Sequence, residues 1–334
     1  VIKLAQKSGK YISYAEPLLD ATLPDGSRIN ATYSSDVTTR GPTFTIRKFR
    51  KEIMSIIDLI KNNTLSIDIA AYFWWAIENR ANVIIAGETA SGKTTLLNAI
   101  AMFIPPNAKI VSIEDTREIQ LYHENWIPAL TREGFYIEGK KYGEITMYDL
   151  LKESFRQNPD YIIVGEVRGQ EAYVMFQGMA SGHAALTTMH ADSIQSIIRR
   201  LTTPPINLPK DLLELLDVAV FMVRARNISP SARRVREVVE VGKMSGDHLE
   251  ISKIFVWNPV QDSFELVNRS VLTQELEQRV GSIKDFEEDL EKKSKVLNYL
   301  LKRNIRDPKK VSQYIRAYYL DKDALLEEIE ENVD

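Results

Sequence analysis

The chain has 334 residues, 44% hydrophobic and 27% charged, with a formal net charge of −3 and no cysteine. These totals describe a globular chain of about two domains. They exclude disulfides and thiolate zinc sites, and they give no overall electrostatic footprint for nucleic acid or anionic lipid. No apolar run approaches the ~18 residues that span a bilayer, and no signal peptide is visible.

The chain enters a helix-like pattern directly from Val1, as expected of the back part of a longer protein. Residues 1–48 read as the end of a small α/β domain and a linker. In "LPDGSRINATYS" an Asp25–Gly26 turn joins two strand-like runs, and "TFTIRKF" is β-rich after Gly41 and Pro42. Residues 49–334 read as a second domain. It opens on helices over 53–61 and from 66 or 68 to 79. Strands over 82–86, 109–113, 161–164 and 184–189 then alternate with helices over 94–102, 148–157, 171–179 and 193–202. Such alternation predicts an α/β fold with a mainly parallel sheet covered by helices. A short helix over 211–216, a strand over 218–223 and runs over 234–241 and 252–257 predict an antiparallel edge. From about residue 270 the chain is helical and charged, and "DALLEEIEENVD" reads as a solvated acidic helix.

The stretch "GETASGKTT" (87–95) matches G-x-x-x-x-G-K-[ST] after an apolar strand and before a helix, the signature of a phosphate loop. Gly87, Glu88, Thr89, Ala90, Ser91 and Gly92 would turn backbone N–H groups toward an anion. The helix beginning near Lys93 and Thr94 adds a positive terminus. Lys93 would reach the β- and γ-phosphates of ATP, the Thr94 hydroxyl would hold Mg²⁺, and Thr95 completes the site.

Hydrolysis also needs carboxylates near the metal and the attacking water. "YIIVGEVRG" ends its strand in Gly165–Glu166, with glycine where an aspartate is usual, and "KIVSIEDTRE" offers Glu114. If these two strands flank the loop strand, Glu166 and Glu114 converge on the γ-phosphate. One would polarise the water while the other holds a metal-bound water. In "SGHAALTTMH", His190 closes a strand where it could sense the γ-phosphate, and His183 opens it.

Taken together, "GETASGKTT", "SIEDTREIQL", "NPDYIIVGEVRGQEA" and "SGHAALTTMHADS" resemble, in order, the Walker A, Asp, atypical Walker B and His boxes of the secretion-type ATPases. These are the motors of type II secretion, type IV pili, type IV secretion and the archaellum. The resemblance implies a RecA-like P-loop domain that hydrolyses ATP with Mg²⁺ in a homo-hexamer. The motor would be cytoplasmic, at the inner face of the membrane, and would act on a polytopic platform protein. It implies that Lys93, Glu166, Glu114 and His190 are catalytic. It further implies that Thr94 and Glu166 serve the Mg²⁺, directly or through water, and that Arg28 and Arg47 reach nucleotide from the N-terminal domain. Arg117 and Arg168 become candidates for a neighbouring subunit's site. The absence of cysteine means that the four-cysteine module of some bacterial members is missing, and "TIRKF" is most similar to the archaeal branch.

Two other readings use the same core. A helicase-type nucleic-acid motor would need a basic groove with interleaved aromatics. "RRVR" (233–236) and Lys309 and Lys310 lack the aromatics, "RRVR" reads as a solvated strand edge, and no nucleic acid is expected as a partner. A nucleotide-binding scaffold without turnover is raised by the missing Walker B aspartate.

Overall fold

The computed structural model describes residues 1–49, 53–137, 140–246, 248–280 and 285–331. It divides into two units, Val1–Glu52 with Glu114–Glu118, and the rest of the chain.

The first unit holds helix α1 (Ile2–Lys7) and an antiparallel sheet of β1 (Leu18–Thr22), β2 (Arg28–Thr32) and β3 (Thr43–Arg47), in that order. The expected Asp25–Gly26 turn joins β1 to β2. Gly26 is left-handed at φ +87°, and Asp25 accepts the Ser27 N–H at 3.0 Å. Ala5, Leu19, Ile29 and Ala31 form a small core of this unit.

The second unit begins with α2 (Ile56–Lys61) and α3 (Ile67–Glu78). Ser55 and Asp58 close a capping box on α2, and Ser66 caps α3. There follow β4 (Val83–Gly87), α4 (Lys93–Ala101), β5 (Ile110–Glu114), β6 (Trp126–Leu130) and the hairpin β7 (Phe135–Ile137) and β8 (Lys140–Tyr142). Next come α5 (Met147–Arg156), β9 (Tyr161–Val164), α6 (Glu171–Ala180), β10 (Ala184–Met189) and α7 (Ile194–Thr202). A 3₁₀ turn (Lys210–Leu215), where the pattern predicts a helix, leads into β11 (Val218–Arg224), β12 (Arg233–Ser245), β13 (His248–Asn258) and β14 (Ser263–Leu266). The described chain closes with α8 (Leu272–Val280), α9 (Phe286–Lys302), α10 (Pro308–Leu320) and α11 (Lys322–Glu331).

One nine-stranded sheet runs β14-β13-β12-β11-β4-β10-β9-β5-β6. Strands β11, β4, β10, β9 and β5 are parallel, and β12 to β14 continue antiparallel, as the alternation predicts. Every residue of β4, β5, β9 and β10 is buried, which is the mark of a sheet covered on both faces. Alternate residues serve two cores. Val83 and Ile85 face α3 and α4, while Ile84 and Ala86 face α6 and α7.

Three expectations are corrected. The acid-bearing strands do not flank the loop strand, because β10 lies between β4 and β9, and β5 lies one place further out. "RRVR" is not a solvated strand edge, because β12 is an interior strand and Arg234 is 3% exposed against Asp262. The acidic tail is not wholly solvated, because Leu325 and Ile329 join the core of the second unit. The last three residues of that tail lie outside the described residues.

The tail is buried because α3 has no polar face. Ile69 to Ile77 are all buried, and a helix apolar all round must be covered on every side. Trp74 stacks on Phe103 with centroids 5.0 Å apart and meets Tyr318 of α10 at 4.8 Å. The start of the tail is tied down by buried Glu240 of β12, which accepts the Tyr72 hydroxyl at 2.8 Å and the N–H groups of Val271 and Leu272. Lys293 of α9 is wholly buried. Its ammonium lies 2.6 Å from Glu78, pairs with Asp289 and stands over the Tyr318 ring. Removing one member of a buried ion group leaves uncompensated charge, so Lys293→Ala should cost about 3 kcal/mol of stability. Urea unfolding followed by tryptophan fluorescence checks this, since Trp74 and Trp75 pack beside α9 and α10.

Candidate functional site

The loop 88–92 leaves β4 and enters α4 at Lys93. Its backbone needs positive φ at three places, Gly87 at +154°, Ala90 at +60° and Gly92 at +97°. At Gly87 the reason is space. A Cβ there would stand 2.5 Å from the Met222 carbonyl oxygen and 2.6 Å from Ser91 Oγ. Met222 lies opposite Gly87 in the β11–β4 register, so the floor of the loop is the neighbouring strand.

Lys93 is 8% exposed. Its ammonium donates to the carbonyls of Gly87 at 3.0 Å and Glu88 at 2.9 Å, and it lies 3.3 Å from His190 Nδ1. An ammonium has only donors, so Nδ1 accepts and the proton of a neutral ring sits on Nε2. That nitrogen stands 3.0 Å from Glu166 Oε1, a close polar contact rather than an aligned hydrogen bond. The other carboxylate oxygen of Glu166 takes a 2.5 Å bond from Arg168. Lys93, His190, Glu166 and Arg168 therefore form one continuous chain.

The sheet explains this geometry. Strand β10 lies between the loop strand and β9, and His190 is the first residue beyond its end. The turn carrying Glu166 is pinned to β10 from both sides. The Thr188 hydroxyl donates to the Gly165 carbonyl at 2.7 Å, and the Val167 N–H donates to the Thr188 carbonyl at 3.0 Å. The Gly165 N–H meanwhile bonds Ile113 of β5 at 2.9 Å. The turn is also held by Glu171, which accepts the N–H groups of Arg168 and Gly169.

Glu114 ends β5, is 3% exposed and accepts the Glu118 N–H at 2.8 Å. Ile113 and Val164 are register partners, so Glu114 and Glu166 leave adjacent strands at the same end of the sheet. In the first unit Arg28 and Arg47 are directly opposed across β2 and β3, and Arg47 pairs with Glu118 at 3.2 Å. Arg117 lies on the segment after β5. Arg168 is engaged by Glu166 of its own chain. His183 takes no part, since it stacks on Phe155 and its Nδ1 meets the Pro159 carbonyl at 2.9 Å.

Two contributors carry weaker signals in the sequence. Thr188 fixes the Glu166 turn, and its only cue is a polar pair in an otherwise apolar strand. Arg233 donates from Nε to the Ala90 carbonyl at 2.7 Å, from a residue 143 positions away.

The arrangement fits a polyphosphate. Ser91 Oγ is buried with no hydrogen-bond partner, and the Gly87 cradle has no room for a side chain. Among the described residues no group of three or more His, Cys, Asp or Glu could hold a metal ion by itself. The candidate donors are the Thr94 hydroxyl, in the first turn of α4, the Glu114 carboxylate at the end of β5 and the Glu166 carboxylate just beyond β9. They are oxygen ligands suited to Mg²⁺ shared with substrate phosphates.

A family model described as type II/IV secretion system protein matches residues 8–246. An uncharacterized protein of Methanocaldococcus jannaschii is 39% identical over 326 residues, which cover 95% of this chain and 58% of that protein. The chain thus spans under two thirds of that relative's length. The conjugal transfer protein TrbB of Rhizobium radiobacter is 32% identical over 240 residues, 70% of this chain and 71% of TrbB. Among solved structures, the VirB11 ATPase of the Brucella suis type IV secretion system, in complex with sulphate, is 26% identical. That match covers 71% of this chain and 77% of VirB11, with a TM-score of 0.44.

Gly87→Ala should distort the loop and the β11 backbone together, costing about 1–3 kcal/mol through overpacking and abolishing binding of a fluorescent ATP analogue. Thermal unfolding and titration with that analogue measure the two effects separately.

Proposed function

The chain belongs to the type II/IV secretion system protein family, and from that premise we propose that it is an ATP-hydrolysing motor of a secretion or filament-assembly machine. The observation that carries the reading is the chain from Lys93 through His190 to Glu166. It links the residue that would grip the terminal phosphates to the carboxylate that would polarise water.

Lys93 would exchange its carbonyl partners for phosphate oxygens, and the loop N–H groups and the N-terminus of α4 would hold the remaining charge. Glu166, carrying its negative charge, would orient the attacking water and take its proton. His190 would keep Glu166 in register with Lys93, and Glu114 would support the same end of the sheet. A bound Mg²⁺, held through Thr94 with help from Glu166, would supply neutralisation of phosphate charge. Arg28 and Arg47 would approach the nucleotide from the N-terminal domain, and Arg117 and Arg168 would serve a neighbouring subunit.

The working form would be a homo-hexamer on the cytoplasmic face of a membrane. Opening and closing of its domains with ATP would push a polytopic platform protein, the force coming from differential affinity of the two forms. No described helix is long and apolar enough to cross a membrane. TrbB, as a conjugal transfer protein, supports a secretion role. The archaeal relative supports the archaeal side of the family, with secreted protein, pilin and archaellin as the cargo classes.

Lys93→Ala should lose both nucleotide binding and turnover. Glu166→Gln should keep binding yet lower kcat by about a hundredfold or more, because an amide cannot take the proton. Steady-state phosphate release and nucleotide titration on both variants test the reading. Wild-type turnover in either would refute the assigned site, while no phosphate release from the unmodified chain with membrane and partner added would favour the scaffold.

A further inference from the structure

We infer that Arg233 is a positioning residue of the phosphate loop, clamping the left-handed Ala90 and so setting the affinity for nucleotide. This rests on the nucleotide reading above and adds a residue from outside the loop and the acidic strands.

Ala90 carries a Cβ yet sits at φ +60°, a conformation that L-residues seldom adopt. Such a residue persists when its surroundings over-determine it. Here the peptide joining Ala90 to Ser91 is held at both ends. Its carbonyl accepts from Arg233 Nε at 2.7 Å, and its N–H donates to the Glu88 carbonyl at 3.3 Å. A trans peptide points these two groups in opposite directions. Fixing the oxygen on Arg233 therefore fixes which way the Ser91 N–H faces, and with it the tight turn of the loop.

Arg233 is itself well held. Its Nη1 donates to the Pro230 and Ala232 carbonyls at 3.2 and 3.0 Å. The next residue, Arg234, is buried and makes a two-pronged pair with Asp262, both bonds 2.7 Å. The strand that presents the clamp is thus anchored immediately beside it. The stem of Arg233 also lines the loop, with Cγ 3.7 Å from where a Cβ on Gly92 would stand.

The charge around the clamp is unbalanced. Arg224 lies opposite Arg233 in the β11–β12 register, and Arg226 follows two residues on. None of the three guanidinium groups has an ion-pair partner among the described residues, and Arg224 Nε is buried without a hydrogen-bond partner. Burial, followed by the charges of Arg224 and Arg226, lowers the pKa of Arg233. A polyphosphate on the neighbouring loop would relieve this repulsion, so the clamp should be at its firmest with nucleotide bound.

A double-mutant cycle tests the inference on the full chain. Arg233→Ala should weaken binding of a fluorescent ATP analogue, and raise KM, by about tenfold, with kcat changed less than about threefold. The same substitution in the Ala90→Gly background should cost less than about threefold, because glycine adopts the left-handed turn without a clamp. The melting temperature should stay near that of the unmodified protein. Equal losses in both backgrounds would show that Arg233 acts by charge alone and would overturn the positioning role. Equal binding by Arg233→Ala and the unmodified protein would overturn the inference while leaving the nucleotide reading intact. No binding by the unmodified protein would overturn both.

Discussion

The ammonium of Lys93 is the constraint on which the site depends. Its protons meet the carbonyls of Gly87 and Glu88, and it lies beside Nδ1 of His190. A nearly buried cation without acceptors would be costly, so the loop must curl until its own carbonyls reach the side chain. That curl is possible only with glycine at 87, where a Cβ would collide with β11. The same ammonium fixes the tautomer of His190, which directs its other nitrogen at Glu166. Loop shape, ring orientation and carboxylate placement thus share one charge.

Much of this was legible in the sequence because it is local. The phosphate loop, the strand before it and the helix after it lie within twenty residues, and the boxes around Glu166 and His190 each end a short apolar run. What the spacing could not give was the order of strands in space. Connections of about twenty to fifty residues leave open which strand lies beside which, so the intervening β10 has no signal in the spacing. Its insertion makes His190 a bridge between the loop and Glu166. Arg233 was hidden for a related reason, since its bond to Ala90 joins two short motifs across the β11–β4 pairing and neither motif points to the other.

The tail shows what a core helix demands of the rest of the chain. "IAAYFWWAI" has no polar position, and a helix of that kind cannot have a solvent face. Its outer side has to be covered, and the helices packed against it, α9 and α10, come from the charged run after residue 270. Its charges misled because several are not surface charges. Lys293 is buried between Glu78 and Asp289, and Asp289 also receives Lys322 at 2.9 Å and the Tyr318 hydroxyl at 3.1 Å. Composition counts such residues as solvated, while their pairing makes them part of the packing.

The substitution of glycine for the usual aspartate at 165 can be understood in the same terms. Gly165 uses its N–H on β5 and its carbonyl on Thr188 of β10, so it serves as a continuation of the sheet between two strands. The turn that follows carries Glu166, with Oε1 3.0 Å from His190 Nε2. Glu166 is then held by partners on three elements: His190 beyond β10, Arg168 on its own turn and, through the backbone, Thr188. A change in what Lys93 holds reaches Glu166 through one imidazole, whose neutral form can offer only one proton at a time. The acceptors of Lys93 and the placement of Glu166 are thus linked through a single ring.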